Sequence, residues 1–243
     1  MTKQLTTTRR IAAALAWVLG SAAGWALVTV GLWGQSTLYT YQQVAIALLG
    51  YLLFGALAGA ATGLGQSIAI RSLGLGDSRT SAWRWLWASV AGYALALPAG
   101  LIIFTLMPLL FGWRSGFPLA LPWSVPGSLF YTPFPSSLVY VGFLAGLCQW
   151  AVLRSLLDRP TRAIRLLWIF GVWLGIGLGL FAGGIVATLL LIGFGVGTST
   201  GLYPALWGIG WGATSGLVSA AVLWILLRPR RDARGLARPR ASE

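Results

Sequence analysis

The sequence has 243 residues, of which 57% are hydrophobic and only 9% charged, and a formal net charge of +13. A soluble domain carries about 25% charged residues, and four acidic residues cannot solvate a surface of this size, so we predict a polytopic integral membrane protein. The absence of histidine excludes His-ligated haem or metal and a Ser-His-Asp triad, and the single Cys148 excludes an intrachain disulfide and a thiolate metal cluster.

Six apolar runs are long enough to cross a bilayer, which takes about 20 residues of helix. In chain order these predicted spans cover roughly residues 11–33, 43–66, 85–112, 138–157, 166–193 and 202–227. The first span has 23 residues, more than the about 7–15 of a signal-peptide core, so we interpret it as an uncleaved helix. The sequence therefore predicts an all-α transmembrane domain over 1–227 and a basic, disordered cytoplasmic tail over 228–243.

Basic residues are distributed unevenly between the two ends of the spans. Of the 17 Lys and Arg residues, all but Arg114 precede span 1, lie between spans 2 and 3, flank the link between spans 4 and 5, or follow span 6. Because cytoplasmic segments carry the excess of Lys and Arg, we expect both termini in the cytoplasm and the protein in the inner (cytoplasmic) membrane of a bacterium. The basic segments are expected to bind anionic lipids there, and topology explains the charge without a nucleic-acid partner.

The even-numbered spans align without gaps and indicate an internal repeat. The aligned residues are Gly63, Gln66 and Arg71 in span 2, Gly146, Gln149 and Arg154 in span 4, and Gly216 and Ser219 in span 6. The simplest unit is a helical hairpin used three times, with parallel repeats related by an axis along the membrane normal. The pattern G-x-x-Q-W-x-x-L-R in span 4 resembles a repeated motif of uncharacterised bacterial polytopic membrane proteins, a resemblance that implies no particular activity.

Glycines recur every four residues on four of the spans, and this spacing places them on one helix face. They are Gly55, Gly59 and Gly63 in span 2, Gly142 and Gly146 in span 4, Gly171, Gly175, Gly179 and Gly183 in span 5, and Gly208, Gly212 and Gly216 in span 6. Small residues let helix backbones approach closely in lipid, so we predict intramolecular helix packing. The alternative for span 5 is that its four glycines dock a partner helix, a pigment or a lipid.

Gln66 and Gln149 are the only amides well inside the spans, each five residues before an arginine. An amide in a membrane requires a partner, and the first interpretation is an interhelical hydrogen bond between repeats. The alternative is a polar site that binds a cofactor, for example through an amide oxygen on a chlorin magnesium. Arg71 and Arg154 are expected to extend toward lipid phosphates, with substrate-anion binding as the alternative.

Aromatic residues are concentrated near span ends and in the connection between spans 3 and 4. We interpret Trp83, Trp85, Trp87, Trp113, Trp168 and Trp207 as an interfacial belt, with pigment or quinone stacking as the alternative. Residues 113–137 contain five prolines and are predicted to form an irregular outer loop. This loop either covers the helix bundle or docks another membrane subunit or an outer ligand.

Apart from Cys148 and tyrosines, the predicted spans contain none of the titratable groups that usually mark proton relays and catalytic sites, so we do not expect an enzyme. The preferred hypothesis is a scaffold or accessory subunit of a larger membrane assembly, with other membrane subunits as partners. The alternative hypothesis is transport or capture of an apolar or neutral small molecule by the repeated hairpins. A pigment or lipid cofactor is compatible with either hypothesis, and the sequence names none.

Overall fold

The computed structural model describes residues 7–35, 44–75, 78–111, 134–157, 161–195 and 202–227. These residues form six helices, so the prediction of an all-α fold with six helices is confirmed. The helices are α1 (Thr7–Gln35), α2 (Val44–Leu73), α3 (Ser78–Phe111), α4 (Phe134–Leu156), α5 (Arg162–Gly193) and α6 (Leu202–Leu227). The predicted tail and the predicted outer loop up to residue 133 lie outside the described residues.

The six helices form a closed ring in chain order. Each helix packs against its predecessor and its successor, and α6 packs against α1, whereas helices on opposite sides of the ring make no close backbone approach within the described ranges. Neighbouring helices run antiparallel. In the pair α1–α2, for example, Gly20 lies against Gly65 while Gly31 lies against Phe54. The ring therefore has one axis, and side chains rather than backbone fill the space around it.

Four of the helices are long and apolar enough to cross a membrane. Their candidate spans are Thr7–Gly31, Leu48–Leu73, Arg162–Gly193 and Leu202–Leu227, and α4 contains a shorter apolar segment, Val141–Leu156. Leucine, isoleucine, phenylalanine and tryptophan side chains are exposed on the outside of every helix of the ring. This surface suits a lipid environment, since an exposed apolar surface of this extent is rare on a soluble monomer.

Most of the helices extend beyond the predicted apolar runs into the residues that flank them. Helix α3 begins at Ser78, ahead of the predicted span, and α5 begins after Thr161, whose hydroxyl accepts a hydrogen bond from the Ile164 backbone N–H. Helix α4 begins at Phe134, inside the segment predicted as loop. Its Pro135 is compatible with helix because proline is tolerated in the first turn.

Candidate functional site: the polar core of the ring

Three tryptophans, one from each odd-numbered helix, meet on the axis of the ring. Trp17 of α1, Trp85 of α3 and Trp168 of α5 are each at most 1% exposed. Their ring centroids are 5.7 Å apart for Trp17 and Trp85, 5.7 Å for Trp85 and Trp168, and 6.4 Å for Trp17 and Trp168. Tilted and edge-on contacts of this kind are favoured aromatic geometries. The three mutually contacting rings are here named the tryptophan cluster.

The two glutamines singled out by the sequence lie beside this cluster and bind each other. The Nε2 of Gln149 donates to Oε1 of Gln66 at 3.0 Å and to Oγ of Ser89 at 3.1 Å. The same Gln66 oxygen accepts from the indole N–H of Trp85 at 2.8 Å. Because Gln66 and Gln149 are 3% and 2% exposed, this network is shielded from solvent and lipid.

A second hydrogen bond from the tryptophan cluster connects the first and last helices. The indole N–H of Trp17 donates to Oγ of Ser219 at 3.0 Å, across 202 residues of sequence. Thr29, farther along α1, has its hydroxyl 2.6 Å from the Pro204 carbonyl oxygen at the start of α6. Polar contacts at both ends of this seam therefore help to close the ring.

A second aromatic layer fills the interior beyond the tryptophan cluster. Trp25 stacks on Trp211 with ring centroids 4.1 Å apart and planes inclined by 17°, and it approaches Tyr93 edge-on at 5.9 Å. The indole N–H of Trp211 donates to the Ile176 carbonyl oxygen at 2.8 Å. The sequence patterns above did not single out Trp25, Tyr93 or Trp211. Trp25 follows Trp17 by eight residues and Tyr93 follows Trp85 by eight, and this spacing places each pair near one helix face.

Between the two aromatic layers lies a small polar cavity of about 10 Å³. The inner faces of all six helices contribute to its wall, which combines hydroxyl, amide and apolar groups. The lining residues are Ser21, Gln66, Tyr93, Gln149, Val172, Ile176, Ser215 and Ser219. Since a water molecule needs roughly 10–15 Å³, this cavity has room for one water and not for a pigment, a lipid or a metabolite.

One member of the tryptophan cluster lacks the hydrogen bond that the other two make. The indole N–H of Trp168 is buried and has no partner among the described residues. Leaving a buried donor unpaired costs about 1–3 kcal/mol, which is why nearly all such groups are satisfied by protein or by ordered water. Trp168 is therefore the member of the cluster whose N–H the described protein groups leave unpaired.

All twelve glycines selected by the four-residue spacing lie against a neighbouring helix, and most leave no room for a side chain. Those of α2, α4 and α6 face α3, α5 and α1, respectively, and the four of α5 face α6. A Cβ added to Gly59, for instance, would lie 2.6 Å from the Ser89 carbonyl oxygen. The stripe on α5 is thus covered by α6 and is not open to a pigment or a partner helix. Gly65 does not belong to the four-residue series of α2. It lies on a different face of that helix, where it contacts Gly20 of α1.

The interpretation of the tryptophans as one interfacial belt is wrong for two of its members. Trp85 and Trp168 are fully buried, whereas Trp83 and Trp87 are 60% and 55% exposed and contact each other edge-on. Residues two apart in a helix point in nearly opposite directions, so Trp85 faces the axis when its two neighbours face outward. Trp207 is half-buried and donates to the Leu180 carbonyl oxygen at 3.0 Å, and Trp113 lies outside the described residues.

The arginines of the described helices lie together at one end of the ring, and all are exposed. They occupy the first two turns of odd-numbered helices and the last turns of even-numbered ones, which adjoin each other in an antiparallel ring. They are Arg9, Arg10, Arg71, Arg79, Arg84, Arg154, Arg162 and Arg165. Arg10 lies over the ring of Trp224 with its guanidinium carbon 5.7 Å from the ring centroid. The described ranges contain no Asp, Glu or His, and no cluster of potential metal ligands occurs in them.

Comparison with known proteins finds no match to a family model, to a curated protein or to a solved structure. The resemblance of the Gly146–Arg154 motif to bacterial polytopic proteins therefore stays a prediction. Function has to be inferred from the geometry of the ring itself.

Proposed function

We propose that this protein is a non-catalytic, multi-pass membrane protein that serves as a rigid scaffold or accessory subunit of a larger membrane assembly. The observation that carries this proposal is the filled axis of the ring. The tryptophan cluster and the Trp25–Trp211 stack occupy it, and the polar cavity between them measures about 10 Å³. A body without an internal substrate route acts through its outer surface.

The chemistry of the interior supports the same proposal. Proton relays and ion-coupled transporters use ionisable groups within the membrane, and those groups face the bundle interior or a water-filled cavity. The interior polar groups of this ring are amides, hydroxyls and indoles, and their hydrogen bonds are mostly made within the protein. Such groups fix the relative positions of helices and supply neither a general base nor a countercharge for an ion.

Capture of a neutral small molecule is the second candidate, and one observation favours it. Gln66 and Gln149, which the sequence marked as candidate cofactor ligands, border the cavity on the axis of the ring. The cavity would have to expand many-fold to hold a ligand of several heavy atoms, and this expansion would separate the helices whose side chains form its wall. We therefore rank this function below the scaffold.

We further propose that the ring consists of three parallel hairpins, α1–α2, α3–α4 and α5–α6. Three arrangements support this repeat. Each odd-numbered helix contributes one member of the tryptophan cluster, and each even-numbered helix contributes a polar residue at the aligned position. The glycines of each even-numbered helix also face the first helix of the next hairpin. The aligned polar residues are Gln66, Gln149 and Ser219. Their pseudo-threefold axis would coincide with the membrane normal.

We propose that the arginine-rich end of the ring faces the cytoplasm and that the protein resides in the inner membrane. Support comes from the asymmetry of basic residues in the sequence and from the exposure of all eight described arginines at one end. Exposed guanidinium groups at this level can bind the phosphates of anionic lipids, which we propose as its lipid partners.

The experiment that tests the scaffold proposal is purification of the tagged protein from its native membrane in a mild detergent. We expect a complex of fixed stoichiometry by native mass spectrometry, with the same partners recovered when a partner carries the tag. A homogeneous monomer whose melting temperature rises by several degrees with a neutral metabolite would overturn the scaffold and support capture. Absorbance spectra of the same sample detect a retained pigment.

A further inference from the structure

The hydrogen bonds of the polar core leave specific groups unused beside the cavity. Oε1 of Gln66 accepts two hydrogen bonds and both hydrogens of Gln149 Nε2 are donated, whereas Nε2 of Gln66 and Oε1 of Gln149 enter no hydrogen bond among the described residues. The donation from Trp85 fixes which end of the Gln66 amide is the oxygen, because an indole N–H only donates. The cavity wall therefore contains one amide donor and one amide acceptor that lack protein partners.

The serine hydroxyls of the wall are oriented in a way that leaves their oxygens as acceptors. Ser21 donates to the Trp17 carbonyl oxygen at 2.9 Å, and Ser215 donates to the Gly212 carbonyl oxygen at 3.1 Å. Each hydroxyl thus uses its only hydrogen within its own helix, and its lone pairs remain for a guest that donates. A guest in the cavity consequently meets the amide donor of Gln66, the serine and Gln149 oxygens as acceptors, and the phenol of Tyr93, which can donate or accept.

We propose that this cavity is a binding site for a single ordered water molecule, which forms an integral part of the core. The water oxygen accepts from Nε2 of Gln66, and the two water hydrogens are donated to Oε1 of Gln149 and to a serine hydroxyl of the wall. Buried waters make about three hydrogen bonds to polar groups that lack other partners, and the volume of about 10 Å³ matches one molecule.

A bound cation is the competing occupant, and the wall chemistry disfavours it. A sodium ion would require oxygen ligands throughout and a nearby negative charge, whereas the Gln66 amide presents hydrogens and the interior wall carries no carboxylate.

The test is nuclear magnetic resonance of the full chain in lipid nanodiscs, with ¹⁵N in the glutamine amides and tryptophan indoles. We expect nuclear Overhauser cross-peaks from the Gln66 side-chain N–H₂ to the water resonance. Their sign should differ between the laboratory-frame and rotating-frame experiments, because direct contact with a long-lived water gives effects of opposite sign in the two. The Gln66→Leu variant assigns these signals. The indole N–H of Trp207, which donates to the Leu180 carbonyl oxygen, serves as the internal control, because neither residue lines the cavity.

Filling the cavity provides the second arm of the test. Val172→Ile adds one methyl group to the wall from α5, and Ser215→Val adds bulk from α6. We expect either variant that folds to lose the Gln66–water cross-peaks by at least tenfold while the Trp85 indole signal persists. Absence of the cross-peaks in the unaltered protein, or their survival in a folded filled variant, would overturn the proposal. Cross-peaks that appear only when sodium is withdrawn would also overturn it, because a cation would then occupy the cavity in place of water.

Discussion

Gln149 donates a hydrogen bond to Gln66 at 3.0 Å, although 83 residues of sequence separate them. Each glutamine stands three residues after a packing glycine and five before an arginine in its own helix. In the ring these two equivalent residues are in direct contact. Two residues of the intervening helix α3 also bind them: Trp85 donates to Gln66, and Ser89 accepts from Gln149. The two residues are equivalent in sequence but unequal in role, because Gln66 accepts where Gln149 donates.

This inequality predicts different costs for removing the two amides. Gln66→Leu deprives both Trp85 and Gln149 of their acceptor, and leaving buried donors unpaired costs about 1–3 kcal/mol. Gln149→Leu leaves the Trp85–Gln66 hydrogen bond intact and removes two others, so at a mean of about 0.6 kcal/mol for each hydrogen bond between membrane helices we expect about 1.2 kcal/mol and no buried donor left unpaired. The measurement is the free energy of unfolding in mixed micelles.

The double variant is the control for this comparison. Because the two residues share one hydrogen bond, the combined cost of Gln66→Leu and Gln149→Leu should be smaller than the sum of the single costs. Equal single costs that add without coupling would contradict the assigned network. From the sequence alone we would expect the same small cost at either position.

The packing of α5 on α6 predicts opposite outcomes at two glycines of the same helix. A Cβ on Gly179 would lie 2.5 Å from the Trp211 carbonyl oxygen, whereas one on Gly177 would meet no atom within 4 Å. We expect Gly179→Leu to cost about 3 kcal/mol or more through overpacking. Gly177→Leu should be neutral or stabilise the helix by up to about 1 kcal/mol, since leucine favours helix over glycine.

Thermal melting of the detergent-solubilised variants, followed by size-exclusion profile, measures this difference. Gly177→Leu is the matched control, since it makes the same substitution two residues away on the exposed face. If both variants melt like the unaltered protein, α5 does not pack through its glycines. A loss confined to Gly177→Leu would instead mean that the outer face of α5 is occupied.

The tryptophan cluster predicts a difference between two substitutions of the same chemistry. Trp85→Phe removes ring contacts and a hydrogen bond to Gln66, whereas Trp168→Phe removes ring contacts from an indole without a protein partner. A hydrogen bond contributes about 0.5–1.5 kcal/mol net, so Trp85→Phe should be the more destabilising by about 1 kcal/mol. Chemical denaturation in one detergent compares the two, and the reverse order would contradict the hydrogen-bond assignment.

The proposed orientation predicts which sites an impermeant thiol reagent reaches from outside the cell. In a chain with Cys148 replaced by Ala, single cysteines at Ser36 and Ser128 should be labelled in intact cells, and one at Ser242 should be labelled only after lysis. These positions lie outside the described residues, and the expectation follows from the positions of the arginines. Labelling of the Ser242→Cys chain in intact cells would reverse the orientation.

Several features of the ring could be predicted from particular residues. The apolar runs gave the six helices, and the four-residue spacing of Gly171 to Gly183 marked a face that packs against α6. The aligned positions of Gln66 and Gln149 marked the two amides that form the centre of the polar core. Each of these signals depends on spacing within one helix or on alignment between helices, and both are present in the sequence.

The tertiary structure decided which way each helix faces and which residues meet. In lipid, a helix is apolar on all sides, so hydropathy does not distinguish its inner face from its outer face as it does in a soluble protein. For this reason Trp85 could not be separated from its exposed neighbours Trp83 and Trp87 by hydropathy, and the tryptophan cluster went unrecognised. Helix rotation is fixed by the shapes of glycine, serine and tryptophan side chains packed together, and that fit exists only once all six helices are in place.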